Sequence, residues 1–151
     1  MTKILMVCHG NICRSPMAEF VMRAMAEEAG LGGRISVASA ATSTEELGNP
    51  VYMPARRKLA EHGLSCDGKR AVQMKKADYA RYDHIFYMDA WNLRNILRIT
   101  GGDPAGKLHP LLEGRDIADP WYTGDFDRAY ADIERGCRAW LARLFSDAQK
   151  P

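Results

Sequence analysis

Lys3-Ile4-Leu5-Met6-Val7-Cys8-His9-Gly10-Asn11-Ile12-Cys13-Arg14-Ser15-Pro16 is the stretch that decides the fold. Its first five residues form a compact apolar run before a glycine-containing turn, the pattern of a short buried strand, and Cys8 falls where that strand stops. Ser15 and Pro16 read as an N-cap and first-turn pair. A serine hydroxyl can accept from a free backbone N–H, and proline lacks the donor that would be orphaned there. The residues from Cys8 to Arg14 therefore bridge a strand end and a helix N-terminus. Such a loop aims backbone N–H groups at one point, with the positive end of the helix dipole behind them, and makes a site for a dianion such as phosphate. Gly10 and Asn11 are the residues able to take left-handed conformations and curl the loop. The same surroundings, with Arg14 beside it, favour thiolate over thiol at Cys8. A nucleophile and an anion binder would then share one loop. Read as an ordinary connection with a buried cysteine, the stretch would leave the strand, the glycine, the arginine and the Ser-Pro helix start as coincidences.

Outward from this loop, strands and helices alternate. The apolar spacing of Met17, Phe20, Val21 and Ala24 predicts a helix over residues 16–29, ended by Gly30. Ile35-Ser36-Val37-Ala38 is a second strand, parallel and adjacent to the first because strand, helix, strand forms a right-handed crossover. Residues 39–49 read as a loop at the C-terminal edge of the sheet, where Cys8 also lies. A helix is expected over 54–59, and residues 64–76 read mainly as loop, with Lys69, Arg70, Lys75 and Lys76 taken as solvated surface. His84-Ile85-Phe86-Tyr87-Met88 is a third strand, followed by a helix over 90–99 and a short strand over 108–111. After a loop over 112–125, a helix over 126–145 carries Tyr130, Ile133, Cys137, Trp140, Leu141 and Leu144 as a core stripe. Such alternation implies a mostly parallel sheet covered on both faces, its first strand central and its ligand in the crevice at the strands' C-terminal ends.

Composition narrows the function classes. The 151 residues are 46% hydrophobic and 26% charged, which suits one domain over 1–151 with a core that needs no staples. A formal net charge of +2 is too small to argue for nucleic acid or an anionic membrane as partner. Neither a signal-peptide pattern nor a bilayer-length apolar run occurs, and four cysteines lack the density of a disulfide scaffold, so the cytoplasm is the expected compartment. No CxxC pair exists and His9, His62, His84 and His109 are scattered singly, so no metal site is expected.

A cysteine that attacks a phosphate monoester needs a second group, because the leaving alkoxide or phenoxide must be protonated. Asp119-Pro120-Trp121-Tyr122 lies after the fourth strand, on the edge that holds Cys8. Alone, the Asp-Pro pair would read as a turn; beside the cysteine loop, Asp119 becomes the candidate acid, and Trp121 and Tyr122 could wall a slot for an aromatic leaving group. Cys13 is open to two readings, a partner for a reversible disulfide with Cys8 or a buried structural thiol.

The loop from Val7 to Pro16 resembles the signature of the low-molecular-weight protein tyrosine phosphatases, and Asp119-Pro120-Trp121-Tyr122 resembles their general-acid loop. Ser39-Ala40-Ala41-Thr42, Gly48-Asn49-Pro50 and Met88-Asp89-Ala90-Trp91-Asn92-Leu93 fall in family order, so the likeness covers nearly the whole chain. The resemblance implies an α/β fold with a central four-stranded parallel sheet of order 2-1-3-4 and helices on both faces, a flavodoxin-like three-layer sandwich. It implies Cys8 as nucleophile, Arg14 and the loop (His9, Gly10, Asn11, Ile12, Cys13, Ser15) as phosphoryl binders and Asp119 as acid. Ser39 would support the loop and Asp89 would support Arg14. Expected partners are a tyrosine-phosphorylated protein substrate and a cognate tyrosine kinase, with no cofactor and a monomer or weak dimer. An arsenate reductase coupled to thioredoxin shares this fold but needs a mobile cysteine pair, which Cys66 and Cys137 do not form; a non-catalytic phosphoprotein-binding module would be expected to lack Cys8, Arg14 or Asp119. The chain departs from the family in three places. Lys69-Arg70-Ala71-Val72-Gln73 stands where relatives place a histidine before a basic run, Glu45 stands where they often carry an aromatic wall residue, and His9 where they often have leucine.

Overall fold

The structure, a computed structural model, describes residues 1–145. Strand β1 (Thr2–Cys8) leads through the loop into helix α1 (Arg14–Glu28) and strand β2 (Ile35–Ala41). Helices α2 (Met53–Glu61) and α3 (Asp78–Arg81) precede β3 (His84–Tyr87), α4 (Ala90–Thr100) and β4 (Leu108–Pro110). Helices α5 (Pro120–Thr123) and α6 (Phe126–Leu144) follow. The sheet order is β2-β1-β3-β4, and all three pairings are parallel. The expected topology is therefore the one found, with β1 inside the sheet.

Alternation along β1 sorts its side chains onto two cores. Ile4, Met6 and Cys8 face the larger cluster, where Met17, Val21 and Met22 of α1 meet Ile133, Cys137 and Leu141 of α6. Leu5 and Val7 face the opposite side with Met74, Ile85 and Ile96. Helices thus cover both faces, and a strand buried on both sides reads as the continuous apolar run that opens the chain.

The last helix approaches the sheet at one point that only glycine permits. A Cβ added to Gly136 would lie 2.6 Å from the Leu111 carbonyl oxygen, a backbone atom that cannot swing aside. Alanine normally improves a helix interior by about 1 kcal/mol over glycine, but here the clash should dominate. We expect Gly136→Ala to destabilise the fold by about 1–3 kcal/mol in denaturant melts; an unchanged or raised midpoint would contradict this packing.

Several local expectations are corrected. Strand β2 runs on to Ala41, so Ser39 is not in a loop but on a strand, paired with Met6. Small residues suffice there because the edge is buried and Ser39 finds polar partners inside. The loop over 112–125 contains the single turn α5, for which Asp119 is the N-cap, accepting from the Trp121 N–H at 3.0 Å. Residues 64–76 are irregular, tied to the end of β2 by an isolated bridge between Ala41 and Gln73 and to the preceding loop by one between Pro50 and Arg70. Lys69, taken as solvated surface, is instead largely buried, its side chain 13% exposed.

Candidate active site

The site grows from the end of β1. Helix α1 begins at Arg14, two residues before the expected start, and its N-cap position, Cys13, provides no side-chain cap. Ser15 is therefore not the cap that the Ser-Pro pattern suggested. Its hydroxyl is spent on Cys8 instead, with Oγ 2.9 Å from Sγ. Two backbone donors converge on the same sulfur: the Asn11 N–H at 3.3 Å and the Ser15 N–H at 3.4 Å. An uncapped helix N-terminus leaves its donors for an anion, which is why missing capping here marks a site rather than a defect.

Asn11 supplies the curl alone. It is the sole non-glycine residue with positive φ among the described residues, at 59°. Gly10 does not share that conformation, contrary to expectation; a Cβ there would touch Glu46 Cγ at 3.4 Å, in the mouth of the cleft. The left-handed Asn11 is secured on every side. Its Nδ2 donates to Ser15 Oγ at 2.7 Å and to Ser39 Oγ at 2.9 Å, while its Oδ1 accepts from the Val72 N–H at 3.1 Å. Backbone bonds from Thr42 to Cys8, Ser43 to His9 and Tyr52 to Ile12 hold the loop's carbonyls from outside.

Arg14 is buried beneath the loop. Its Nη1 donates to Asp89 Oδ2 at 2.7 Å and to the Ile117 carbonyl at 2.8 Å, and Nη2 to Asp119 Oδ2 at 3.3 Å. Burial opposes its charge, but Cys8, Asp119 and Asp89 outweigh that and push the guanidinium above the usual arginine range. Asp89 caps α4 through the Asn92 N–H at 2.8 Å, so it is fixed to two elements. Cys13 lies in the same cleft, where burial, Cys8 and Asp119 drive its thiol far up. Of the two cysteines on the loop, only Cys8 sits at the focus of donors.

The cleft above the sulfur encloses about 100 Å³. It is lined by Cys8, Ile12, Cys13 and Arg14 of the loop, by Glu45 and Glu46, and by Asp119, Trp121 and Tyr122. His9 crosses toward Glu45, Nε2 to Oε2 at 2.9 Å, so the two departures from the family pattern at the mouth face each other as a pair. Every residue named for the site from sequence is brought to this one sheet edge. Ser39 and Asp89 stand behind the loop, the buried Asn11 and Ser15 contact the Cys8 sulfur, and the rest line the cleft.

One polar residue beneath the loop went unnoticed. Glu19 of α1, 5% exposed, accepts from Ser39 Oγ at 2.6 Å and from Arg23 Nη2 at 2.7 Å. Lys69 Nζ donates to the Ser39 carbonyl at 3.0 Å and stands 3.7 Å from Glu19 Oε1. Lysine thus occupies the region assigned to the absent histidine. The available signal was the spacing Ser15, Glu19, Arg23, a polar i, i+4, i+8 stripe on an otherwise buried helix.

Cys66 and Cys137 offer no relay toward Cys8. Cys137 is fully buried on α6 and donates to the Ala18 carbonyl at 3.8 Å, while Cys66 belongs to the loop after α2. All four cysteines are free thiols. Among the described residues no cluster of three metal-ligating side chains occurs, and no helix is long and apolar enough to cross a membrane.

A parallel sheet whose inner strand ends on a cysteine ringed by N–H donors defines an α/β protein that can hold an oxyanion against a thiol. Comparison with known proteins says which kind. The family model for low molecular weight phosphotyrosine protein phosphatase matches residues 3–150, and the chain belongs to that family of hydrolases. It is 36% identical to the low molecular weight protein-tyrosine-phosphatase YfkJ of Bacillus subtilis, over 99% of each chain. It is 37% identical to the human low molecular weight phosphotyrosine protein phosphatase, over 93% of this chain and 94% of that one. The crystal structure of YfkJ superposes with a TM-score of 0.93, covering 97% of this chain and 96% of that one at 35% identity. That of Vibrio vulnificus Wzb in complex with benzylphosphonate does so at 0.84, covering 95% and 99% at 28% identity.

Proposed function

We propose that the protein hydrolyses phosphotyrosine monoesters on protein substrates by way of a phosphocysteine on Cys8. The observation that carries this reading is the ring of donors on Sγ, set 2.9–3.4 Å away, with Arg14 and Asp119 facing across the same cleft. The thiolate attacks phosphorus in line; the new S–P bond forms as the P–O bond to the phenol breaks, and Asp119 gives its proton to the departing oxygen. In the second step Asp119 takes a proton from water, whose oxygen attacks phosphorus as the S–P bond breaks, releasing inorganic phosphate and the thiolate. Arg14 and the loop N–H groups stabilise the equatorial oxygens in both steps. No metal or organic cofactor enters this sequence. Benzylphosphonate, which the Vibrio protein holds, has the aryl-methylene phosphonate shape that a cleft lined by Cys8, Trp121 and Tyr122 would accept.

A cleft in which Cys8 is buried should require the reach of an aromatic ester. We expect a phosphotyrosine peptide to be turned over at least about a hundredfold faster than the matched phosphoserine peptide, an effect of about 3 kcal/mol in kcat/KM. Equal rates would refute tyrosine selectivity. Two free thiols on one loop also support a reversible Cys8 to Cys13 disulfide under mild oxidation, and four free thiols suit a cytoplasmic chain. A cognate tyrosine kinase and a monomer or weak dimer complete the proposal.

A further inference from the structure

Helix α5 is a single turn, too short to be held by its own hydrogen bonds. Asp119 caps it, with Oδ1 accepting from the Trp121 N–H at 3.0 Å. Because an N–H only donates, Oδ1 is engaged as an acceptor and Oδ2 is the oxygen left to carry a transferable proton. That oxygen lies 3.3 Å from Arg14 Nη2. Once a phosphoryl group claims Arg14, the Trp121 N–H is the tether that keeps the carboxyl group aimed. The aim of the acid is then only as good as the seating of Trp121.

Tyr52 provides that seat. Its ring lies 4.7 Å from the Trp121 ring between centroids, tilted by 52°, inside the range of favourable aromatic pairs. Trp121 is otherwise half exposed. The same tyrosine ring reaches Phe126, the first residue of α6, at 6.1 Å, and so touches both helices that flank the short link after α5. Its backbone is tied to the other half of the site: the Tyr52 N–H donates to the Ile12 carbonyl at 2.9 Å, and the Tyr52 carbonyl accepts from the Arg56 N–H at 3.0 Å in α2. One residue thus fastens by its backbone to the loop that bears Cys8 and by its ring to the turn that Asp119 caps.

We propose that Tyr52 is a positioning residue for Asp119: by seating Trp121 it fixes the turn whose N–H aims the acid at the leaving oxygen, and through Ile12 it sets the distance of that turn from the phosphate-binding loop. The inference rests on Asp119 as the acid. Both aromatic contacts are made by the ring, so phenylalanine should serve at this position as tyrosine does. Misplacing a catalytic group by an ångström can cost about 10²-fold. A turn that loses its seat but keeps its cap still visits the right place, and the loss should be nearer tenfold.

The test compares kcat/KM, which reads the step that forms the phosphocysteine, for phenyl phosphate and for p-nitrophenyl phosphate. Nitrophenoxide leaves with little help from an acid; phenoxide does not. We expect Tyr52→Ala to lower kcat/KM about tenfold on phenyl phosphate and less than about threefold on p-nitrophenyl phosphate, and Tyr52→Phe to stay near wild type on both. In an Asp119→Asn background, adding Tyr52→Ala should change neither rate further, because residues that act through one another do not add. Folding is checked by thermal melting, and if Tyr52→Ala does not fold, Tyr52→Leu, which lacks the aromatic face, is read in the same way. Equal losses on the two esters would make Tyr52 a mere wall of the cleft and overturn the proposal, as would a selective loss that persists in the Asp119→Asn background. Failure of the acid assignment would show differently, as equal losses on both esters from Asp119→Asn alone, and would take the proposal with it.

Discussion

Replacing Cys8 with serine will reduce aryl phosphate turnover to background, a loss of at least about 10⁴-fold, while a non-hydrolysable phosphonate still binds within a few-fold of wild type. The reason lies in what surrounds the sulfur. Two of its neighbours, the Asn11 and Ser15 N–H groups, can only donate, and the Ser15 hydroxyl is oriented to donate by Asn11. Such a shell suits a group that is already ionised. A serine hydroxyl must lose a proton in order to attack, and the two backbone N–H groups aimed at position 8 cannot take it. The oxygen would be bound, not activated. Binding should persist because Arg14 and the loop N–H groups are untouched. Turnover that survives the change would remove Cys8 from the mechanism, and loss of phosphonate binding would mean that the loop itself had collapsed.

The second large effect is expected at Asp119. Two carboxylates contact Arg14, but they differ in position. Asp89 is held by Arg14 and the α4 cap, away from the cleft lining, whereas Asp119 lines the cleft and meets Arg14 at a looser 3.3 Å. A phosphoryl dianion that claims Arg14 would release Asp119 Oδ2 toward the leaving oxygen. Asp119→Asn should cut kcat by about 10²–10⁴-fold with little change in KM. The substitution is unusually clean because asparagine is as good an N-cap as aspartate, so α5 should keep its place. The loss should shrink as the leaving phenol becomes more acidic, since a better leaving group needs less protonation. A rise in KM at constant kcat, or a loss independent of the leaving group, would assign Asp119 a binding role instead.

The fold was readable wherever one residue pattern answered to one burial environment. The apolar run of β1 and the core stripe of α6 are of this kind, and they locate the sheet edge on which the chemistry sits. Misreadings came where one pattern serves two ends. Ser15-Pro16 is a capping pair by its chemistry, and only the position of the Cys8 sulfur reveals that the hydroxyl is spent elsewhere. Ser39-Ala40-Ala41 is small and polar enough for a loop, yet it pairs as strand because its partner positions on β1 are buried. Glu19 was missed for a different reason. Its partners, Ser39 and Lys69, are distant in sequence and meet it only once a helix crosses a strand, although its spacing from Ser15 and Arg23 lay in plain view. Lys69 shows the same limit: a lysine in a basic stretch reads as solvated until its carbonyl partner is known.

The pairing of His9 with Glu45 at the cleft mouth has a consequence for how this protein can change over generations. Position 9 belongs to the loop that binds the phosphoryl group, yet its contribution to that loop is a backbone carbonyl, held by the Ser43 N–H and hydroxyl. Its side chain lies at the cleft mouth, paired with that of Glu45. Residues at these two positions can therefore drift together, exchanging apolar for ionic contact with whatever flanks the phosphate ester, while the buried machinery stays as it is. Recognition and chemistry occupy one short loop but answer to separate selection, and a library restricted to these two positions should yield altered substrate preference without loss of the catalytic step.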